Sequence, residues 1–211
     1  MKCIICTHET KSFTHPKTNV LFHECPHCKV IFKDPMHHPT EVEEHKRYLE
    51  HENSINNEGY VNFLTSFIDK AIKPYIKSGY ILDFGSGPEA VLAELLKKSG
   101  YQTETYDPFF DPEFNHEEKY DMITSTEVFE HVKNPLNELK FIDEHLKQGG
   151  YFSMMTLLYP EDKASFCTWF YIRDLTHIIF YHSETYRYIS SLMNWSVILD
   201  DQKRMVIFKK K

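Results

Sequence analysis

Residues 80–90 read YILDFGSGPEA, and they narrow the possible folds more than any other part of the chain. A short apolar run ends in an aspartate, two glycines follow one residue apart, and a proline and a glutamate come next. This is the pattern of a buried strand that turns sharply into a helix. Apolar segments and helical periods then alternate through residues 80–157, which predicts a mainly parallel sheet with helices on both faces.

Such turns usually hold a ligand, a ligand-free tight turn being the alternative, and two classes use them: dinucleotides and S-adenosylmethionine. Gly85, Gly87 and Ala90 satisfy the loose G-x-G-x-x-G/A pattern, which alone does not separate the two. The neighbouring residues do. A pyrophosphate at a helix start needs backbone N–H groups and tolerates no added negative charge. Pro88 removes one N–H, and Glu89 adds a carboxylate. Asp83 suits an ammonium, directly or through water. Asp107 closes the next apolar segment, where an acid accepts hydrogen bonds from ribose hydroxyls in both ligand classes. The residues favour S-adenosylmethionine.

The rest of the chain fits around this unit. Residues 1–38 are dense in Cys, His and Pro and show little periodicity. Residues 39–56 read as a polar linker with some helical character. Apolar residues recur at helical spacing over 60–75. A helix is predicted over 89–99, and strands at Tyr80–Phe84, Gln102–Tyr106, 120–125 and 151–157. Asn134–Pro135 reads as the cap and first position of a helix running to about Lys147. Residues 108–119 leave little room for a full strand and helix. A helix over 183–193 precedes a hairpin of strands 195–199 and 204–209, whose last strand would run antiparallel to the rest.

This ordered set resembles the class I S-adenosylmethionine-dependent methyltransferases over about residues 57–209. ILDFGSGPEA is similar to their glycine-rich first motif, and TYDP to their second-strand end. YDMITSTEVFEHVKNP is similar to the fourth-strand motif of methylases acting on quinols, sugars and other small molecules. LKQGGYFSMMT resembles the following helix end and fifth strand. The resemblance implies a three-layer α/β, Rossmann-like sheet, mostly parallel with an antiparallel C-terminal hairpin strand. It also implies that Asp83, Gly85, Ser86 and Gly87 form the methionine-side wall, that Asp107 holds the ribose, and that Thr126 touches the cofactor. Two departures stand out. Glu89 occupies the third glycine position, and the third strand is shortened or absent, which leaves the adenine side open. Phe109 and Phe110 there read as a base-stacking pair or as packing.

Two pairs, Cys3-x-x-Cys6 and Cys25-x-x-Cys28, precede this domain, and four thiolates at such spacing suit tetrahedral Zn²⁺. A structural zinc module over 1–38 is the expectation, with metal-free or redox-active dithiols as the alternative. Cys167 stands apart and reads as a small packing residue. Residues 57–211 then form the methyltransferase domain.

For the chemistry, His131 and His177 are the candidate proton acceptors, because imidazole titrates near neutrality. Glu130–His131 follows the fourth strand; Asp174-x-x-His177 lies in an aromatic insertion with Trp169, Phe170, Tyr171, Phe180 and Tyr181. His131 reads equally as a capping or packing residue at a helix start, and His177 as an ordinary pocket-lining residue. The net charge of −7 argues against a nucleic-acid partner, and the apolar runs are too short to span a membrane. With no signal-peptide core at the start, a cytoplasmic setting is expected. The expected partner is a small-molecule methyl acceptor; the oligomeric state is open. The alternatives are an RNA-modifying methyltransferase gripping its substrate through the zinc module, and a non-catalytic zinc-bearing scaffold.

Overall fold

The computed structural model describes residues 1–50, 53–114 and 117–211. Residues 51–52 of the predicted linker and 115–116 of the predicted irregular stretch lie outside the described residues. The chain opens with three short antiparallel strands, β1 (Lys11–Thr14), β2 (Leu21–Glu24) and β3 (Ile31–Lys33). Two helices follow, α1 (Glu41–Leu49) and α2 (Glu58–Ala71). Thr40 and Glu43 close α1 with a reciprocal capping box, and the Asn57 side chain caps α2.

The alternating unit comes next: β4 (Tyr80–Phe84), α3 (Val91–Lys98), β5 (Gln102–Tyr106), β6 (Tyr120–Thr126), α4 (Pro135–His145) and β7 (Leu146–Met155). After the aromatic insertion, with α5 (Lys163–Thr168) and β8 (Ile179–Phe180), come α6 (Ser183–Leu192), β9 (Trp195–Asp200) and β10 (Met205–Lys210). The central sheet has the order β5-β4-β6-β7-β10-β9. Its first four strands are parallel, and β10 runs antiparallel to both β7 and β9. Among the described residues no strand stands between β5 and β6 in sequence, as the shortness of 108–119 implies.

Side chains of the strands alternate between two cores. Ile81, Met122 and Ile207 pack under α2 and α3 with Leu64, Phe67, Leu92 and Leu96. Leu82, Ile123, Phe152 and Phe208 pack on the other face with Leu139, Ile142, Tyr186 and Ile189 of α4 and α6. These are the three layers expected from the sequence.

Two helix boundaries and one cap differ from expectation. Ala90 adopts φ 44°, so the turn after β4 is longer and α3 starts at Val91 rather than at Glu89. Asn134 precedes α4 without a side-chain cap bond. That helix stops at His145, since β7 already pairs with β6 from Leu146 onward.

The N-terminal sheet is not self-contained. β3 pairs antiparallel with β8 of the insertion, giving the order β1-β2-β3-β8. Thr185 donates its hydroxyl to the Cys28 carbonyl at 2.8 Å, and Tyr159 donates to the carbonyl of Lys29. Lys33 is buried, and its ammonium donates to the carbonyls of Asp174 and Leu175. Burial lowers its pKa to about 8.

Candidate active site

A cleft of ≈ 1460 Å³ opens at the C-terminal ends of β4, β5 and β6. Pockets for a single small ligand span about 300–1,000 Å³, so this one has room for two molecules side by side. The sequence-predicted cofactor residues Asp83, Gly85, Ser86, Gly87, Asp107 and Thr126 all line it, and so do His131 and His177.

The glycine turn builds one end. Gly85 and Gly87 have φ of 78° and 69°, a left-handed backbone that favours glycine. A Cβ on Gly85 would fall 2.4 Å from Val128 Cγ2, whereas one on Gly87 would meet nothing within 4 Å. Gly85 therefore serves packing against the loop after β6, while Gly87 keeps backbone open to the cleft. Gly85→Ala is expected to destabilise the protein by about 2–3 kcal/mol, from backbone strain and overpacking together. A urea midpoint equal to wild type would refute that division of roles.

Asp107 is nearly fully buried and already engaged. Its Oδ1 accepts from the N–H groups of Phe109 and Phe110 at 2.9 and 3.2 Å, and its Oδ2 accepts from the Gly87 N–H at 3.0 Å. A carboxylate offers about four acceptor positions, so one direction remains for a ligand hydroxyl. Asp83 is 2% exposed and accepts from Thr124 Oγ1 at 3.3 Å. Burial pushes its carboxyl up to about 7. Ser86 Oγ is buried in the turn with no hydrogen-bond partner among the described residues. An orphaned hydroxyl, a backbone-lined opening at Gly87 and two acids at strand ends fit a ligand with an ammonium and a ribose. Phe109 and Phe110 form ring contacts to α1, at 5.5 Å with Tyr48 and 5.5 Å with His45 respectively.

The other end is built by the loop after β6 and by the aromatic insertion. Glu130 is fully buried. Its backbone carbonyl accepts from the N–H groups of Ile178 and Ile179 at 2.7 and 3.0 Å, which ties the two segments together. His131 Nδ1 donates to the Thr176 carbonyl at 3.0 Å, and His177 Nδ1 to the Tyr171 carbonyl at 2.8 Å. The two imidazole rings meet edge to face at 4.8 Å. The Asp174 carboxylate serves its own turn and α1. Its Oδ1 accepts from Thr176, and its Oδ2 takes Arg47 at 2.8–2.9 Å.

Three features were not visible in the sequence. The helix α1 is a wall of the cleft, fastened by Arg47–Asp174 and by Lys133–Glu44 at 2.8 Å. Glu127, at φ 54°, shares the Tyr171 hydroxyl with Glu130. Burial, together with the negative charge of Glu127, pushes the Glu130 carboxyl up to about 8. Only the STEVFEH run itself hinted at this pair.

The four cysteines converge outside the cleft. Cys3 and Cys28 sulfurs lie 3.5 Å apart, Cys6 and Cys25 sulfurs 3.2 Å apart, and all four within 4.8 Å of one another. A tetrahedral site with Zn–S of about 2.3 Å has sulfur–sulfur edges of about 3.8 Å. The N–H groups of Ile5 and Cys6 point at Cys3 Sγ, and that of Cys28 at Cys25 Sγ, as befits thiolates. Thr7 and Lys29, at φ 61° and 64°, turn the chain after each pair. The donor set fits zinc. Cys167 is half-buried beside the aromatic core of the insertion.

Among the described residues no helix is long and apolar enough to cross a membrane. No curated protein matches the sequence. The structure is similar to that of the plantazolicin methyltransferase BpumL with a monoazolic desmethylPZN analog and SAH, at 13% identity and TM-score 0.53, covering 82% of this chain and 91% of that one. It is also similar to a SAM dependent methyltransferase from Archaeoglobus fulgidus, at 14% identity and TM-score 0.53, covering 71% and 94%. Coclaurine N-methyltransferase, solved with N-methylheliamine and SAH, gives 18% identity and TM-score 0.47 over 72% of this chain, which spans only 54% of that longer protein. The family described as "Methyltransferase domain" matches residues 48–199, most of the chain. The chain therefore belongs to the methyltransferase domain family, and it shares its fold with these solved methyltransferases.

Proposed function

We propose that the protein methylates a small-molecule acceptor, a sugar, a quinol or a similar metabolite, in a cytoplasmic setting. The observation that carries this reading is the two-ended cleft: one end fits an ammonium and a ribose, and the other is enclosed by α1, by Tyr171 and by two oriented histidines. S-adenosylmethionine supplies an electrophilic methyl on a sulfonium. The chain supplies position. Asp83 holds the ammonium end, Gly85, Ser86 and Gly87 shape the turn beside it, and Asp107 and Thr126 fix the ribose and the reacting end. Most of the acceleration then comes from holding the acceptor in line. His131 and His177 stand on the acceptor side, each with Nδ1 committed to a carbonyl, so Nε2 is the nitrogen suited to accept a proton. The same reading makes the four-cysteine cluster a structural zinc site, since its sulfurs are buried within the main core.

Calorimetry tests the cofactor. S-adenosylmethionine or its demethylated product should bind, while NAD and NADP should not. Asp107→Ala should weaken binding by roughly 1–3 kcal/mol, through lost ribose contacts and a loosened Gly87. Asp107→Asn should be no milder. In either flip its NH₂ would face an N–H donor, that of Gly87 or those of Phe109 and Phe110. Micromolar NAD binding with no response to S-adenosylmethionine would overturn the assignment.

A further inference from the structure

We propose that Glu130, His131 and His177 form a second cation site, which takes a divalent transition-metal ion and presents it to a hydroxyl of the methyl acceptor. The proposal rests on the methyltransferase reading above, adds a metal and a nucleophile class to it, and gives the Nε2 lone pairs of both histidines to the metal in place of a proton-acceptor role.

The three residues each offer a ligand atom, and these atoms lie within 4.8 Å of one another. Glu130 Oε1 accepts from the Tyr171 hydroxyl, but Oε2 is buried and has no hydrogen-bond partner among the described residues. A carboxylate oxygen left this way in a fully buried side chain is costly, and Glu127 beside it adds like charge. A cation at Oε2 answers both. The histidines are prepared in the manner of metal ligands. Each Nδ1–H donates to a backbone carbonyl, which fixes the ring and the tautomer with its lone pair on Nε2. The backbone bonds from Ile178 and Ile179 to Glu130 hold the two ligand-bearing segments in register, so the site sits on rigid supports.

Two imidazoles and one carboxylate suit Zn²⁺, Fe²⁺ or Mn²⁺ and leave coordination positions open. Glu127 and Glu130 together balance a double positive charge. Because His131 and His177 line the cleft, an open position would face the acceptor. A metal-bound hydroxyl loses its proton to solvent more readily. Its oxygen then attacks the methyl carbon: the O–C bond forms as the C–S bond breaks, the electron pair goes to sulfur, and the cofactor leaves as a neutral thioether. The acceptor this favours is an alcohol or phenol, with methylation on oxygen.

The test is a metal titration of the full chain, read by absorption with Co²⁺ and by elemental analysis with Zn²⁺. Two equivalents are expected. One should show thiolate-to-cobalt charge transfer, from the cysteines. The other should show only the weak bands of nitrogen and oxygen ligands. Glu130→Gln and His177→Gln should each weaken the second equivalent by about 10–100-fold, with the first and the binding of the demethylated cofactor unchanged. A wild-type protein that stops at one equivalent overturns the proposal, and needs no variant to do so. So does a second equivalent that survives both substitutions, which would mark adventitious binding among the 13 histidines. Failure of the cofactor to bind while the second equivalent appears would instead count against the methyltransferase reading and leave the cation site standing.

Discussion

Cys25→Ser is expected to release the zinc and to lower the melting temperature of the whole chain by roughly 10 °C or more. Structural zinc contributes about 10–16 kcal/mol to finger peptides. Even a loss of about 4 kcal/mol moves the melting point of a domain this size by about 8–16 °C. The damage should not stop at residues 1–38. Val30 and Phe32 belong to the same core as Leu82 and Phe152, and β3 is the pairing partner of β8. Hydrogen exchange should therefore speed up at Lys33, whose N–H bonds the Ile178 carbonyl, and through the insertion around β8, while β4 and β6 keep their protection. Metal analysis of freshly reduced protein that finds no zinc, or a variant that melts with the wild type, would remove the site from the account.

Asp83→Asn should do two opposite things. In the unliganded protein at about pH 8 it should stabilise the fold, by up to roughly 4 kcal/mol, because it removes a charge held in a buried place. The sign follows from the raised pKa. The folded state holds the Asp83 proton up to about 7, whereas the unfolded chain releases it near 3.8. Wild-type stability from this group is complete below the unfolded value and is lost as pH rises through about 7, so the advantage of Asn appears across that window. Cofactor binding should move the other way. An ammonium favours ionised Asp83, so the wild-type affinity should fall by up to about tenfold per unit as pH drops below about 7. Asp83→Asn should bind weakly and without that slope. Parallel pH profiles of affinity in the two proteins, together with equal melting points at about pH 8, would show that Asp83 plays no such part.

The parts of this fold that were legible in the sequence are those with local signatures. The run YILDF announces β4 by composition, Gly85 and Gly87 announce the turn by their backbone freedom, and the paired cysteines announce their meeting by spacing. What escaped notice depends on distant partners. The strand β8 has only Ile179 and Phe180, too few residues for any periodicity, and its pairing with β3 exists only once the chain has folded. The helix α1 is polar enough to read as a linker, and it becomes a wall of the cleft through two ion pairs whose partners, Lys133 and Asp174, lie far along the chain. Beyond the STEVFEH run, Glu127 and Glu130 carry no mark of partnership in sequence; only the packing of Tyr171 against them reveals two acids sharing one hydroxyl.

The pairing of β3 with β8 also bears on how the protein is made. Residues 1–38 leave the ribosome well before the insertion that carries β8, and their cysteines can gather a metal at once. The outer edge of β3 must then wait, its N–H and C=O groups unpaired, until Ile179 and Phe180 emerge. Until then the nascent chain exposes a sticky strand edge, Ile31–Lys33, that the finished protein hides. Overproduction under zinc limitation, with that edge poorly held, should therefore direct the chain into aggregates rather than into a soluble, inactive form.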